Sequence, residues 1–600
     1  MDPLAALHEH FGFDAFRPGQ ADAVAAAMAG RDVLVVMPTG AGKSLCYQLP
    51  ALMRDDLTLV VSPLVSLMQD QVQALERRAP GCVALVNAQQ DAWANDDAVR
   101  RAAAGELRML YVAPERFSSP GFARALAGVP IGLFVVDEAH CVSQWGHDFR
   151  PDYFRLADAA RWLGARAIVA STATATPQVA ADIVERLGLR DPARVATGFD
   201  RPNLSFGVVA SRSPAAKARR IAAALAEPGA TPAIVYAGTR NGTDQLATRL
   251  AQELGREVVA YHAGLARDAR ATAQQRFMGG EVAVVVATNA FGMGVDKADV
   301  RTVVHATVPQ SLEAYYQEAG RAGRDGRPAR ALLFASPRDK GLHVFFIQRG
   351  EADDALVERV ARRLEAEAAV DGRFDLRLDE LGGADGAEGV RVILGALARA
   401  GVVQPAPAPV DRVRGRLLAP FDVRARATCR RLAGEAQRAR WRQYRAVWAF
   451  AEGDRCRRAT ILEHFGDPAA PAPQVPCCDV CDAGVVPAAV RDAARVGRAG
   501  HAGSTASAPA DLDAAILAIV EAAEPPVGRT RAVEIVRGGR SKAVVRHSYD
   551  GLPGYGTFDH LGAGEVLERV DELIAAGRLA STGGRYPTLR VLAAQTRLVA

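Results

Sequence analysis

Three groups of side chains in this 600-residue chain have the types and the spacing to do chemistry. The first is the run MPTGAGKS at residues 37–44. Gripping a polyphosphate requires several backbone N–H groups aimed at one point, and Gly40 and Gly42 let the chain curl tightly enough to supply them. Thr39 belongs to the same turn, Lys43 is placed to reach the β- and γ-phosphates, and Ser44 to hold Mg²⁺. The strict motif begins with Gly where this chain has Met37. The second group ends the apolar run LFVVDEAH at residues 133–140. Two adjacent carboxylates closing a buried strand are costly unless a metal or a proton transfer employs them. Asp137 fits a Mg²⁺ contact, and Glu138 the base that orients an attacking water. The third group is Cys456, Cys477, Cys478 and Cys481, three of them within PCCDVC. Bunched thiols suit a closed tetrahedral Zn²⁺ site better than disulfides. Cys477 and Cys478 are adjacent and would point apart on a regular strand, so a bent backbone is expected; Cys429 lies too early and is excluded.

Two further clusters look toward a polyanion. SQWGHDFRPDY (residues 143–153) sets Trp145, Phe149 and Tyr153 among His147 and Arg150, the mixture that stacks unpaired bases. The hydroxyls Ser171 and Thr172 suit phosphate contacts or a link between lobes. Thr239, Arg240 and His262, at strand ends, suit sequence-independent backbone contacts. Arg321 and Arg324, three apart, are expected on one helical face.

These residues need a scaffold, and the hydropathy pattern describes one. Short apolar runs are expected as strands at Val33–Met37, Leu57–Ser62, Met109–Ala113, Leu133–Asp137 and Ala167–Ser171. A second series follows at Ala233–Tyr236, Val258–His262, Val282–Ala287, Val303–Ala306 and Ala331–Phe334. Buried strands alternating with amphipathic helices predict parallel sheets covered on both faces, here as two tandem α/β lobes at 1–200 and 201–350. Residues 351–427 read as an inserted helical segment, and their helix–turn–helix–strand pattern suits a small winged helix. Helices and the cysteine cluster occupy 428–485, a small-residue linker 486–510, and a helical segment with a short β-like end 511–600.

Hydrophobic residues make up 49% of the chain and charged residues 24%, enough for several cores, so a disordered or fibrous protein is excluded. No signal peptide or run of ~18 apolar residues is visible, and a cytoplasmic protein is expected. The net charge of +5 admits a nucleic-acid partner without demanding one.

DEAH with STATAT (residues 171–176) resembles the superfamily 2 helicases. FGFDAFRPGQ (11–20), SQWGHDFRPDY, ATNAFGMGVDKADVR (287–301) and QEAGRAGRDGRPA (317–329) resemble the RecQ family specifically. The resemblance implies two RecA-like lobes and an ATP- and Mg²⁺-dependent motor that unwinds DNA with 3′→5′ polarity in repair, recombination and replication. It implies that Gln20 reads the adenine edge while Phe16 and Arg17 shape the base pocket. Arg321 and Arg324 become arginine fingers acting with Lys43, Asp137 and Glu138, and Asp296 senses nucleotide and DNA. Trp145, Phe149 and Arg150 fall in a loop coupling DNA to hydrolysis. The tail resembles the RQC winged helix, its cationic stretch Arg537–Arg546 facing duplex phosphates, with Tyr549 and Tyr555 as candidate wedges. Expected partners are single-stranded and forked or tailed duplex DNA, with single-strand-binding or repair proteins near the nucleoid and no membrane. The chain departs from the family in the adjacent cysteines, in the segment 351–427, and in having no recognisable HRDC domain.

Overall fold

The computed structural model describes residues 2–592 apart from 64, 88, 119, 144–152, 154–155, 212–213, 292–296, 350–353, 383–386, 407–411, 492–509, 540, 548, 553, 560 and 583–586. It divides into two compact units, Met1–Asp492 and Ala493–Ala600.

The first lobe holds seven strands: β1 (Val33–Val36), β2 (Leu57–Val61), β3 (Val83–Val86), β4 (Met109–Val112), β5 (Ile131–Val136), β6 (Ala167–Thr172) and β7 (Ala193–Ala196). They form one sheet in the order β3-β4-β2-β5-β6-β1-β7, every pair parallel. The side-chain period of two sends Leu34 and Val36 into one core and Val33 and Val35 into the other. The sheet is thus buried on both faces, which is why its strands read as unbroken apolar runs.

The second lobe repeats the scheme with β8 (Leu204–Ala210), β9 (Ala233–Tyr236), β10 (Val259–Tyr261), β11 (Val284–Ala287), β12 (Thr302–His305) and β13 (Ala329–Ala335), in the parallel order β10-β11-β9-β12-β13-β8. β3, β7 and β8 escape the sequence reading. β7 is an edge strand with one buried side chain, and Gly207 interrupts β8 where a Cβ would stand 2.8 Å from Leu332.

Residues 354–417 differ from the helical expectation. The helix Asp354–Glu367 leads into β14 (Arg373–Arg377), two helices at Leu378–Gly382 and Ala387–Arg399, then β15 (Val403–Ala406) and β16 (Arg412–Leu417). The strands pair antiparallel in the order β14-β16-β15. Helix–strand–helix–helix–hairpin is the order of a winged helix. β16 was not legible as a strand because its outward positions are Arg412, Arg414 and Arg416, with only Val413 and Gly415 turned inward. Its core closes on Cys429 and Leu432 of the 30-residue helix Val423–Glu452.

Past the cysteines, Val486 and Val490 are buried in the second lobe's core rather than exposed in a linker. The unit Ala493–Ala600 has its own core, built from helices Ala510–Ala522, Arg529–Val536 and Ala563–Ala575 and the pair β17 (Leu579–Ser581) and β18 (Leu589–Val591). Tyr549 is buried there, its hydroxyl donating to Pro525 O at 2.6 Å, so it is no exposed wedge. The Tyr555 hydroxyl donates to Gly538 O at 3.2 Å. Among the described residues, no helix is long and apolar enough to cross a membrane.

Candidate nucleotide site and metal centre

The turn after β1 is built as its sequence requires: Gly40 and Gly42 have φ of +87° and +83°, values that favour glycine, and the helix Leu45–Met53 starts at Ser44. Lys43 Nζ donates to Met37 O at 3.1 Å, folding the ammonium back under the turn. Burial holds Lys43 below the usual lysine range, while the Glu138 and Asp137 carboxylates oppose that shift. The Gln20 amide donates to Ala41 O at 3.2 Å and Gly42 O at 3.1 Å, and Arg17 Nη1 to Gly40 O at 2.7 Å. Both side chains therefore brace the phosphate turn from outside, and the half-buried Phe16 packs on the core beside them.

Asp137 and Glu138 end β5 directly opposite. Burial, reinforced by the neighbouring Glu138 charge, pushes Asp137 up to about 7, with Lys43 pulling the other way. Glu138 sits at φ +47°, one of two non-glycine residues in this region among those described. A left-handed non-glycine costs on the order of 1 kcal/mol and aims this carboxylate away from the strand axis. His140 Nδ1 lies 3.3 Å from Glu138 Oε2 and 3.0 Å from Thr172 Oγ1. The Ser171 hydroxyl is buried on the neighbouring strand end, close enough to Asp137 to favour its ionised form. Both hydroxyls are fully buried, so they serve the acidic pair rather than an exposed phosphate. Tyr153 is likewise buried, its hydroxyl donating to Asp137 O at 2.9 Å, which removes it from any stacking surface. Trp145, His147, Phe149, Arg150 and Asp296 lie outside the described residues.

The second lobe completes the site. The helix Leu312–Ala319 stops short of both arginines, so Arg321 and Arg324 occupy turns rather than one helical face, though the charges of both act on the Tyr236 hydroxyl. Arg324 lies against the phosphate turn: a Cβ on Gly40 would meet Arg324 Cγ at 3.3 Å, and its charge acts on Lys43. Arg321 is buried against the Tyr236 hydroxyl and lines a cavity of about 260 Å³ at the carboxyl ends of the lobe 2 strands. His262 is also tied inward, at 3.0 Å from Asp244. Sequence reasoning missed Arg201, between the lobes. Its Nη1 donates to Thr39 O at 3.3 Å and Gly320 O at 2.9 Å, and its Nη2 to Ala322 O at 2.9 Å. Its only signal was a lone Arg in the polar run DRPN directly after the first lobe.

The four cysteines converge so that one ligand atom from each lies within 4.8 Å of the rest. Three pairs stand at 3.5, 3.6 and 3.9 Å. A tetrahedron with Zn–S of ~2.3 Å has edges of about 3.8 Å, so the donor set fits Zn²⁺. Cys429 is buried elsewhere. The bend at Cys477–Cys478 forms where this segment pairs with β8: Phe206 N donates to Cys477 O at 3.2 Å and Asp479 N to Phe206 O at 3.0 Å. Arg457 and Arg458, directly after Cys456, are almost fully buried. Arg457 is held by Asp479 at 3.0 and 3.1 Å, and Arg458 by Asp200, Arg201 O and Leu204 O.

Family models match four stretches: "DEAD/DEAH box helicase" at 17–183, "Helicase conserved C-terminal domain" at 216–326, "RecQ zinc-binding" at 422–482 and "RQC domain" at 511–599. The probable ATP-dependent DNA helicase RecS of Bacillus subtilis is 41% identical over 363 residues, covering 60% of this chain and 72% of that protein. The ATP-dependent DNA helicase RecQ of the same bacterium is 42% identical over 350 residues, 58% of either chain. That of Pasteurella multocida is 41% identical over 365 residues, 60% of this chain and 56% of its own. The match thus spans little more than half of the two RecQ relatives.

Proposed function

The chain belongs to the RecQ family of superfamily 2 helicases, and from that premise we propose that it is a motor in which ATP hydrolysis between the lobes drives 3′→5′ unwinding of DNA. One observation carries the reading: the Arg324 side chain of lobe 2 lies on the Gly40 turn of lobe 1, beside Lys43 and the acidic pair.

The turn 39–44 cradles the phosphates by its N–H groups, with Lys43 as countercharge. Ser44 and Asp137 would hold Mg²⁺, which neutralises phosphate charge when bound. Glu138 orients and deprotonates the water, with His140, itself hydrogen-bonded to Thr172, 3.3 Å behind that carboxylate. Gln20, with Phe16 and Arg17, takes the base once it turns from the phosphate loop. Arg324 stabilises charge on the transferring phosphoryl group from the facing lobe, the work of an arginine finger, and Arg321 positions the Tyr236 strand end behind it. Trp145, Phe149, Arg150 and Asp296 relay DNA contact to the site. Cys456, Cys477, Cys478 and Cys481 hold a structural Zn²⁺ at the seam with β8. DNA tails and forks in repair and recombination are the substrates, near the nucleoid, with single-strand-binding proteins as partners.

Strand separation on duplexes bearing a 3′ or a 5′ tail tests this, with Lys43→Ala as control. Activity confined to 3′ tails and absent from the variant is expected; unwinding from 5′ tails alone sinks the polarity, and an active variant sinks the mechanism. Metal analysis of wild type and Cys478→Ser should differ by about one zinc ion.

A further inference from the structure

The helix Val423–Glu452 carries eight arginines against two glutamates, a surplus of six in a chain whose whole net charge is +5. Part of that charge is answered locally: Arg426 pairs with Glu358 at 3.0 Å and Arg431 with Glu435 at 2.9 Å. The surplus concentrates farther along. Arg438, Arg442 and Arg445 are exposed at spacings of four and three, which places them on one face over two turns. Among the described residues no carboxylate lies within ion-pair distance of Arg438 or Arg445.

The helix packed against the second half of this one carries an exposed aromatic pair. The helix Pro337–Arg349 packs along the second half of the long helix, with Lys340 2.7 Å from Glu452 and Trp448 Nε1 donating to His343 Nδ1 at 3.2 Å. One turn on, it presents Phe345 and Phe346, 51% and 38% exposed, edge-to-face at 5.6 Å. Left 51% and 38% exposed, the two phenylalanines forgo about 2 kcal/mol of burial between them. Half-buried Trp441 stands edge-on to Tyr444 at 5.5 Å on the long helix. Phe346 and Gln443 also wall the cavity formed by Gly238, Thr288 and Thr307, at the carboxyl ends of the lobe 2 strands.

We propose that this stripe and aromatic pair form a further binding site for single-stranded DNA, receiving the strand where it passes beyond the lobe 2 strand ends. Arginines at helical spacing neutralise successive phosphates, and solvent-exposed phenyl rings accept bases of any identity. Contact is therefore independent of sequence and lengthens the footprint beyond the two lobes. The proposal rests on the DNA-motor reading, and it concerns neither the nucleotide site nor the loop at 143–153.

The test is fluorescence anisotropy of the full chain with oligo(dT) of about 6 and about 25 nucleotides, over a salt series. Wild type is compared with Arg438→Glu/Arg445→Glu, with Phe345→Ser/Phe346→Ser, and with Arg424→Glu, an equally exposed arginine about 21 Å farther from the aromatic pair along the same helix. The double charge reversal should weaken the long oligonucleotide by tenfold or more and flatten its salt slope by about 1.4, at ~0.7 per phosphate contact. The serine pair should weaken it about tenfold, the size of one lost stack. The short oligonucleotide and ATP turnover at saturating DNA stay unchanged. Equal loss in Arg424→Glu, or no loss in either double variant, overturns the proposal while leaving the motor intact. A wild-type chain that binds no single strand overturns the motor reading itself.

Discussion

Two seams cross this molecule, and both are closed by arginine. At the cleft, Arg324 touches the Gly40 turn and Arg201 spends its donors on backbone carbonyls of Thr39, Gly320 and Ala322. At the zinc module, Arg457 and Arg458 are sealed at 2% and 1% exposure against the carboxylates of Asp479 and Asp200. The acceptor makes the difference. A neutral carbonyl released from a guanidinium is readily rehydrated, so that seam can open and close. At the zinc module it is the guanidiniums themselves that are buried, and drawing a charge paired with a half-buried carboxylate out of that seam costs more, so that seam stays shut.

Substitution should separate the two. Arg324→Ala is expected to lower DNA-stimulated ATP turnover by roughly 10³–10⁵-fold while leaving the unfolding temperature within a few degrees. A purely structural Arg324 would show the opposite pattern in calorimetry and steady-state kinetics. Arg458→Ala should cost about 3 kcal/mol, by emptying the space of a 1%-exposed side chain and leaving Asp200, Arg201 O and Leu204 O short of a donor. Urea unfolding reads that cost, and an unchanged midpoint would erase the contrast between the seams. Arg201→Ala, which removes charged hydrogen bonds to carbonyls alone, is worth about 1.5–3 kcal/mol of lobe closure. It should raise KM for ATP more than it lowers turnover, and a stability loss as large as that of Arg458→Ala would count against the distinction.

The smallest effect belongs to the tail unit, where Asp513 is held by Arg569 at 2.6 and 2.8 Å and by Arg578 at 3.0 Å. Hydrogen bonds from Arg569 keep this carboxyl below the usual range. A depressed carboxyl stabilises the fold above its unfolded pKa and loses that contribution as pH falls through the folded value. Asp513→Asn should therefore cost about 1 kcal/mol at pH 7 and nothing well below pH 3.8. Amide exchange in Ala510–Ala522 reports it, and a deficit persisting into acid would assign the effect to packing.

The opening seam was largely legible in the sequence, the closed one only in part. A glycine turn after an apolar strand and two acids ending another are local patterns, written in consecutive residues. The cysteine cluster was equally plain. What stayed hidden depends on partners far along the chain. Arg201 meets Thr39 from 162 positions away, Asp200 meets Arg458 from 258, and nothing near any of them advertises the contact. β16 was masked by its charged outer face, and β8 by the glycine that lets Leu332 approach. The helical pairing of Arg321 with Arg324 failed because Gly320 and Gly323 end the helix before either side chain can share its face.

The Arg201 clasp also sets a scale for spontaneous motion. Its reach from lobe to lobe toward Thr39 O is one long hydrogen bond. At about 1.5–3 kcal/mol, such a bond by itself shifts the balance between closed and parted lobes by roughly ten- to a hundred-and-fifty-fold. A clasp of this strength holds the lobes together without locking them, so a ligand that favours one arrangement by a few kcal/mol is enough to reverse the balance.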